Sequence, residues 1–209
     1  MKSRSITKAM LSVSALLLVS ACENLPQIPS FGSSTKAATP ALMTGYLCCN
    51  VRTDGSWISD SNYRENAKQV IPVGTAVKVT SFGRSRVAMQ VEGQSDTQYL
   101  GNDYSRSIGD EALAKRYVVT DDPKARLARF PAKVQAAIKA SQLTIGMTQE
   151  QVVMSVGWPI ADENKDTNAR IWRYWLTSFE EYQVEFSKAR IVTAISAERL
   201  VKNQIIYRP

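Results

Sequence analysis

Apolar and polar positions alternate along the chain with three different rhythms. Met10–Val19 (MLSVSALLLV) is an apolar run of ten residues, too short to span a bilayer. From residue 45 to about 119 the rhythm is close to two. Tyr46–Val51 reads as a strand ended by the turn pair Asp54-Gly55. Val77 and Val79 share one parity in Thr75–Thr80, and Phe82–Arg86 supplies a polar turn. Val87, Met89 and Val91 then return on one face, and Gly93 ends the hairpin. Tyr99–Gly101 and Tyr117–Val119 offer further pairing. This stretch predicts a small, all-β, barrel-like body.

After residue 120 the period lengthens. Asp121-Asp122-Pro123 opens a helical stretch in which Arg126, Arg129 and Lys133 are spaced to share one face. Pro131 marks the first turn of a second helix, Ala132 to Gln142, with Val134, Ala137, Ile138 and Ser141 as its buried stripe. A short helix follows with both ends written out. Thr148 and Gln151 form a capping box, Val152, Val153 and Val156 an apolar face, and Gly157 and Pro159 a stop. Three strands come next. Arg170–Leu176 carries bulk on both parities, Tyr182, Val184 and Phe186 make a one-sided strand, and Ile191–Ile195 closes the set. The expected fold class is α+β, with a barrel-like domain at 45–119 and a domain of two helices and a three-stranded antiparallel sheet at 120–209.

The N-terminus reads as an address. Lys2, Arg4 and Lys8 precede the apolar run without any acid, and the small pair Ser20-Ala21 follows it, the pattern of a secretory signal peptide. Val19-Ser20-Ala21-Cys22 resembles a bacterial lipobox, which implies acylation of Cys22 as the mature N-terminus. Triacylation there would give effectively permanent anchoring, since a single acyl chain alone binds only marginally. Glu23 stands where an Asp would resemble the inner-membrane retention signal, so the outer membrane, facing the periplasm, is the expected location. Residues 22–44 carry Pro26, Pro29 and Pro40 among small polar residues and form a flexible tether.

Composition narrows the chemistry. With 44% apolar residues the chain supports a buried core. The net charge of +7 includes the leader's three cations, so the body carries a mild +4, a weak case for nucleic acid. There is no histidine, which excludes Ser-His-Asp and Cys-His catalysis and His-ligated zinc. Cys48 and Cys49 are adjacent, and three readings are open: buried free thiols, a vicinal disulfide or an intermolecular bridge. Asp54, Asp60, Asp121, Asp122 and the Glu180-Glu181 pair have no catalytic spacing. No catalytic residue, cofactor or metal is expected, and the reading is non-enzymatic.

Two resemblances complete the picture. Ile71-Pro72-Val73-Gly74-Thr75, the hairpin and Tyr99-Leu100-Gly101 resemble a bacterial Src-homology-3-like barrel, which implies binding of a peptide or of peptidoglycan. Gly146-Met147-Thr148, Gln151-Val152, Gly157, Pro159, Trp172-Arg173-Tyr174 and Val184-Glu185-Phe186 resemble the SmpA/OmlA family over roughly residues 132–197. That family includes a small lipoprotein subunit of the outer-membrane β-barrel assembly machinery, in which one domain closely follows the lipid. Here residues 23–131 intervene. The resemblance implies a scaffolding lipoprotein of envelope or outer-membrane assembly, with envelope proteins as partners. Anionic lipid is a further candidate for the basic residues Arg126, Arg129 and Lys133. Trp175 falls on the opposite parity to Trp172 and Tyr174, so it is the aromatic candidate for an interaction face.

Overall fold

The computed structural model describes residues 41–65 and 68–209. The leader Met1–Ala21, Cys22 and the tether as far as Pro40 lie outside the described residues. The fold class is α+β. A curled six-stranded sheet is built from β1 (Met43–Leu47), β3 (Trp57–Ser59), β5 (Ala76–Gly83), β6 (Arg86–Val91), β7 (Gln98–Gly101) and β8 (Val118–Val119), in the order β3-β7-β6-β5-β1-β8. Short β2 (Val51–Thr53) and β4 (Gln69–Ile71) pair beside it. All pairings in the large sheet are antiparallel except β3 on β7.

The hairpin is where alternation placed it. Val77 and Val79 on β5, and Val87, Met89 and Val91 on β6, are all buried. The rest of this half departs from an all-β barrel. Its edge strands β3 and β8 do not pair, so the sheet stays open. Helix α1 (Gly109–Tyr117) packs against β5 and β6, burying Leu113, Ala114 and Tyr117. The single strand expected over Tyr46–Val51 is broken at Cys48-Cys49-Asn50, and the two cysteines are joined as a vicinal disulfide. A strand sends successive side chains to opposite faces, so two bonded neighbours cannot continue one.

Beyond residue 120 the elements are α2 (Lys124–Leu127), α3 (Ala132–Lys139), α4 (Gln149–Val156), β9 (Ile171–Trp175), β10 (Glu181–Phe186), β11 (Val192–Ala197) and α5 (Arg199–Ile205). Strands β9, β10 and β11 form an antiparallel meander. Its inner face buries Trp172, Tyr174, Tyr182, Val184 and Phe186, with Tyr174 stacked on Tyr182 at 5.3 Å. Helix α3 buries the predicted stripe of Val134, Ala137 and Ile138, and Ser141 beyond its end is buried too. Helix α5 has no counterpart in the sequence reading.

Helix α4 carries the caps its sequence specifies. Thr148 Oγ1 accepts from Gln151 N at 3.2 Å, and Gln151 Oε1 accepts from Thr148 N at 2.9 Å. Gly157 ends the helix at φ +87°, a backbone that side chains disfavour, and Gly146 turns at φ +92° just before it. Pro159 is buried beyond the stop. Thr148→Ala is expected to cost about 1 kcal/mol through loss of the cap. Chemical denaturation checks this, and an unchanged midpoint would remove Thr148 from the cap.

The two bodies expected on either side of residue 120 share one core instead. The described residues form one compact unit, and one buried cluster runs from Leu47 to Ile205. Asn50, 4% exposed, is the main polar joint. Its Nδ2 donates to the Ile138 carbonyl at 2.6 Å and to Ser141 Oγ at 3.0 Å, and its Oδ1 accepts from Val73 N at 2.9 Å. Its own amide donates to the Met154 carbonyl at 3.0 Å. Asn62 Nδ2 bonds the carbonyls of Asn50 and Val156, and Trp158 Nε1 donates to the Arg116 carbonyl at 2.9 Å.

Candidate functional site

Where the two halves meet they leave a cleft of about 450 Å³. Its walls are apolar: Val119 from β8, Val153 and Met154 from α4, then Trp158 and Trp172, with the Cys48 side chain beside them. Four cations stand at its margin, Lys115, Arg116, Arg126 and Arg190, against the single carboxylate of Glu150. Helix α4 projects into this space because its caps fix both ends while Gln149, Glu150, Val153 and Met154 share the face turned to the cleft. Trp172 is 2% exposed and meets Phe186 edge-on at 4.9 Å. Its Nε1 has no hydrogen-bond partner among the described residues. Arg116 lies 5.5 Å over the Trp158 ring.

The three basic residues singled out in the sequence do not share a helical face. Helix α2 ends at Leu127, and Pro131 breaks the chain before α3 because its ring disfavours helix in the residue ahead. All three side chains are exposed. Arg126 reaches the cleft and pairs with Glu150 at 3.0 Å, while Arg129 and Lys133 line no part of it. Trp175 belongs elsewhere. It is half-buried, lines a separate narrow slot with Arg52 and Arg64, and donates through Nε1 to Glu163 at 2.9 Å.

A second feature lies at the tip of the β9–β10 hairpin. Phe179 is 93% exposed, and Leu200 at the start of α5 is 68% exposed. Both border one shallow concavity with Glu180, Glu181, Glu198 and Arg199. Glu181 is engaged by Arg173 at 3.6 Å and Glu180 accepts from Thr177 Oγ1 at 3.1 Å, whereas Glu198 has no ion pair among the described residues. Sequence reasoning missed both residues. A phenylalanine inside the polar turn Thr177-Ser178-Phe179-Glu180 was the available signal.

Among the acids, Asp60 is the buried one, 1% exposed. Its carboxylate accepts from the amides of Asp103 and Tyr104 at 3.2 Å. Burial still holds the carboxyl above its usual range, outweighing those hydrogen bonds. A raised folded pKa contributes stability that is fully present below the unfolded value and lost as pH rises through the folded one. Wild type is therefore expected to lose more stability between pH about 4 and about 7 than Asp60→Asn, which has no such titration. Urea denaturation of both proteins at the two pH values measures it; parallel losses would mean that Asp60 does not titrate in this way.

Among the described residues there is no cluster of three or more metal-ligating side chains, and no helix is long and apolar enough to cross a membrane. No family model, curated protein or solved structure matches the chain.

Proposed function

We propose that the chain is a lipid-anchored outer-membrane lipoprotein, facing the periplasm, that acts without catalysis as a binding and scaffolding component of envelope or outer-membrane protein assembly. The anchoring rests on the charged leader, the apolar run and the lipobox ending at Cys22. The order α3–α4–β9–β10–β11 agrees with the arrangement that the SmpA/OmlA resemblance implies. The observation that carries the binding role is the hairpin tip. Phe179 and Leu200 leave apolar surface in water around one shared concavity, and a shared apolar patch rimmed by polar residues is what marks an interaction site. With three carboxylates and one arginine around them, the fitting partner is an envelope protein segment with apolar and basic side chains.

Phe179→Ser combined with Leu200→Ser is expected to leave stability within about 0.5 kcal/mol of wild type, because neither side chain is packed. The same double variant should lose the envelope proteins that co-purify with the native chain in mild detergent. An unchanged set of co-purifying proteins would remove the tip as the docking face. Trp175→Ala keeps the fold on the same reading, and lowers partner recovery only if the slot beside the hairpin also takes part.

A second reading has its own observation. The six-stranded sheet carries an open concavity of about 760 Å³ bordered by Thr44, Tyr46, Lys78, Gln90 and Glu92. It favours a cell-wall-associated lipoprotein whose β-module takes peptidoglycan or a peptide. Sedimentation with purified sacculi distinguishes the two, since a scaffold for proteins stays in the supernatant.

A further inference from the structure

We propose that the cleft between the two halves binds a small amphipathic anion, a carboxylate or phosphate group carried on an apolar body. The site is distinct from the hairpin tip and does not depend on the scaffolding role. Its volume falls within the roughly 300–1,000 Å³ of small-molecule pockets, which are mostly apolar with a few convergent polar groups. The walls supply the apolar part: Val119 comes from the first half of the chain and Val153, Met154, Trp158 and Trp172 from the second, and none of them offers a charge.

The margin supplies the headgroup site, and its cations are not equivalent. Lys115 is occupied by Glu111 at 2.7 Å and Arg126 by Glu150 at 3.0 Å. Arg116 and Arg190 have no carboxylate within ion-pair distance among the described residues. Arg116 is held over Trp158, and the Arg190 guanidinium donates only to the neutral Asn168 Oδ1 among the described residues. Two guanidinium groups bordering one apolar cleft, both lacking an anion, are matched by an acidic headgroup. The backbone at Arg190 adds weight. It sits at φ +60° in the turn between β10 and β11, where asparagine or glycine would be cheaper. A long cation in that position is a choice that folding does not favour, and it places the charge at the margin of the cleft.

Arg190→Asn therefore separates binding from stability, because the backbone suits asparagine while the charge is lost. Arg116→Gln is the second variant, and it keeps the Trp158 bond, which goes to a backbone carbonyl. Isothermal titration calorimetry of residues 41–209, the compact unit with one core and without the lipid-bearing Cys22, in detergent-free buffer at low salt, would use decanoate and decyl phosphate as probes. Decyl maltoside carries a similar tail without charge, and inorganic phosphate is a headgroup without a tail. Both anionic probes should saturate a single site, and each control should bind at least about tenfold more weakly. Each arginine variant should lose about tenfold in affinity for decanoate, with Arg190→Asn melting no lower than wild type. Equal affinity for decyl maltoside, or full affinity in both variants, would overturn the proposal. Binding to phosphatidylglycerol vesicles with no binding of the monomeric probes would overturn it too, since it would reduce the basic margin to a bilayer-facing surface.

Discussion

Asn50→Leu is expected to destabilise the protein by at least about 3 kcal/mol, because it strips the Val73 amide and Ser141 Oγ of their partner and takes one of two hydrogen bonds from the Ile138 carbonyl. The Ile138 carbonyl, Ser141 Oγ and the Val73 amide all turn to this one side chain, and Asn50 itself is 4% exposed. Leucine fills a similar volume, so the loss isolates hydrogen bonding from cavity formation. These partners come from both halves of the chain, so the loss should appear as one cooperative transition at lower denaturant concentration. Urea unfolding followed by tryptophan fluorescence and by far-ultraviolet circular dichroism measures this. Two separated transitions would mean that the halves fold as independent bodies.

Trp172→Ala is expected to cost about 3–5 kcal/mol, the range for truncating a large buried aromatic. The ring is buried on the inner face of β9, edge-on to Phe186 at 4.9 Å and 6.3 Å from Trp158. Its removal opens a void between α4 and the meander and joins that void to the cleft. Trp172→Phe should cost less, because it keeps an aromatic ring and deletes the unpartnered Nε1. Thermal melts of the two variants rank them, and an alanine variant melting with wild type would place the ring outside the core.

Local signals carried the readable parts of this fold. Helix α4 was legible from Thr148 to Pro159 because caps, apolar face and stop all lie within twelve consecutive positions. Strand β10 was legible because Tyr182, Val184 and Phe186 repeat at two against one core. Helix α1 was missed although Leu113, Ala114 and Tyr117 have helical spacing, because it is embedded among strand-like segments. The break at Cys48-Cys49-Asn50 was legible only in part, since the adjacent cysteines left a vicinal disulfide as one of three open readings. The polar anchoring beside the disulfide had no local signal, because the partners of Asn50, Val73, Ile138 and Met154, lie between 23 and 104 residues away. The cleft had the same difficulty. Arg126 was singled out for its spacing to Arg129 and Lys133, yet in the structure it pairs with Glu150 and borders the same cleft as Trp158 and Arg190. Only tertiary packing brings those together.

The reading of this chain as an anchored binding protein meets its most direct test in cells. A photo-crosslinking amino acid at position 179, in an otherwise intact chain, would sample what touches the hairpin tip. The account predicts a discrete envelope protein captured from position 179, absent when the same residue is placed at the exposed position 193 on β11, and lost with Cys22→Ala. Identical capture from both positions, or capture that does not depend on Cys22, would contradict it.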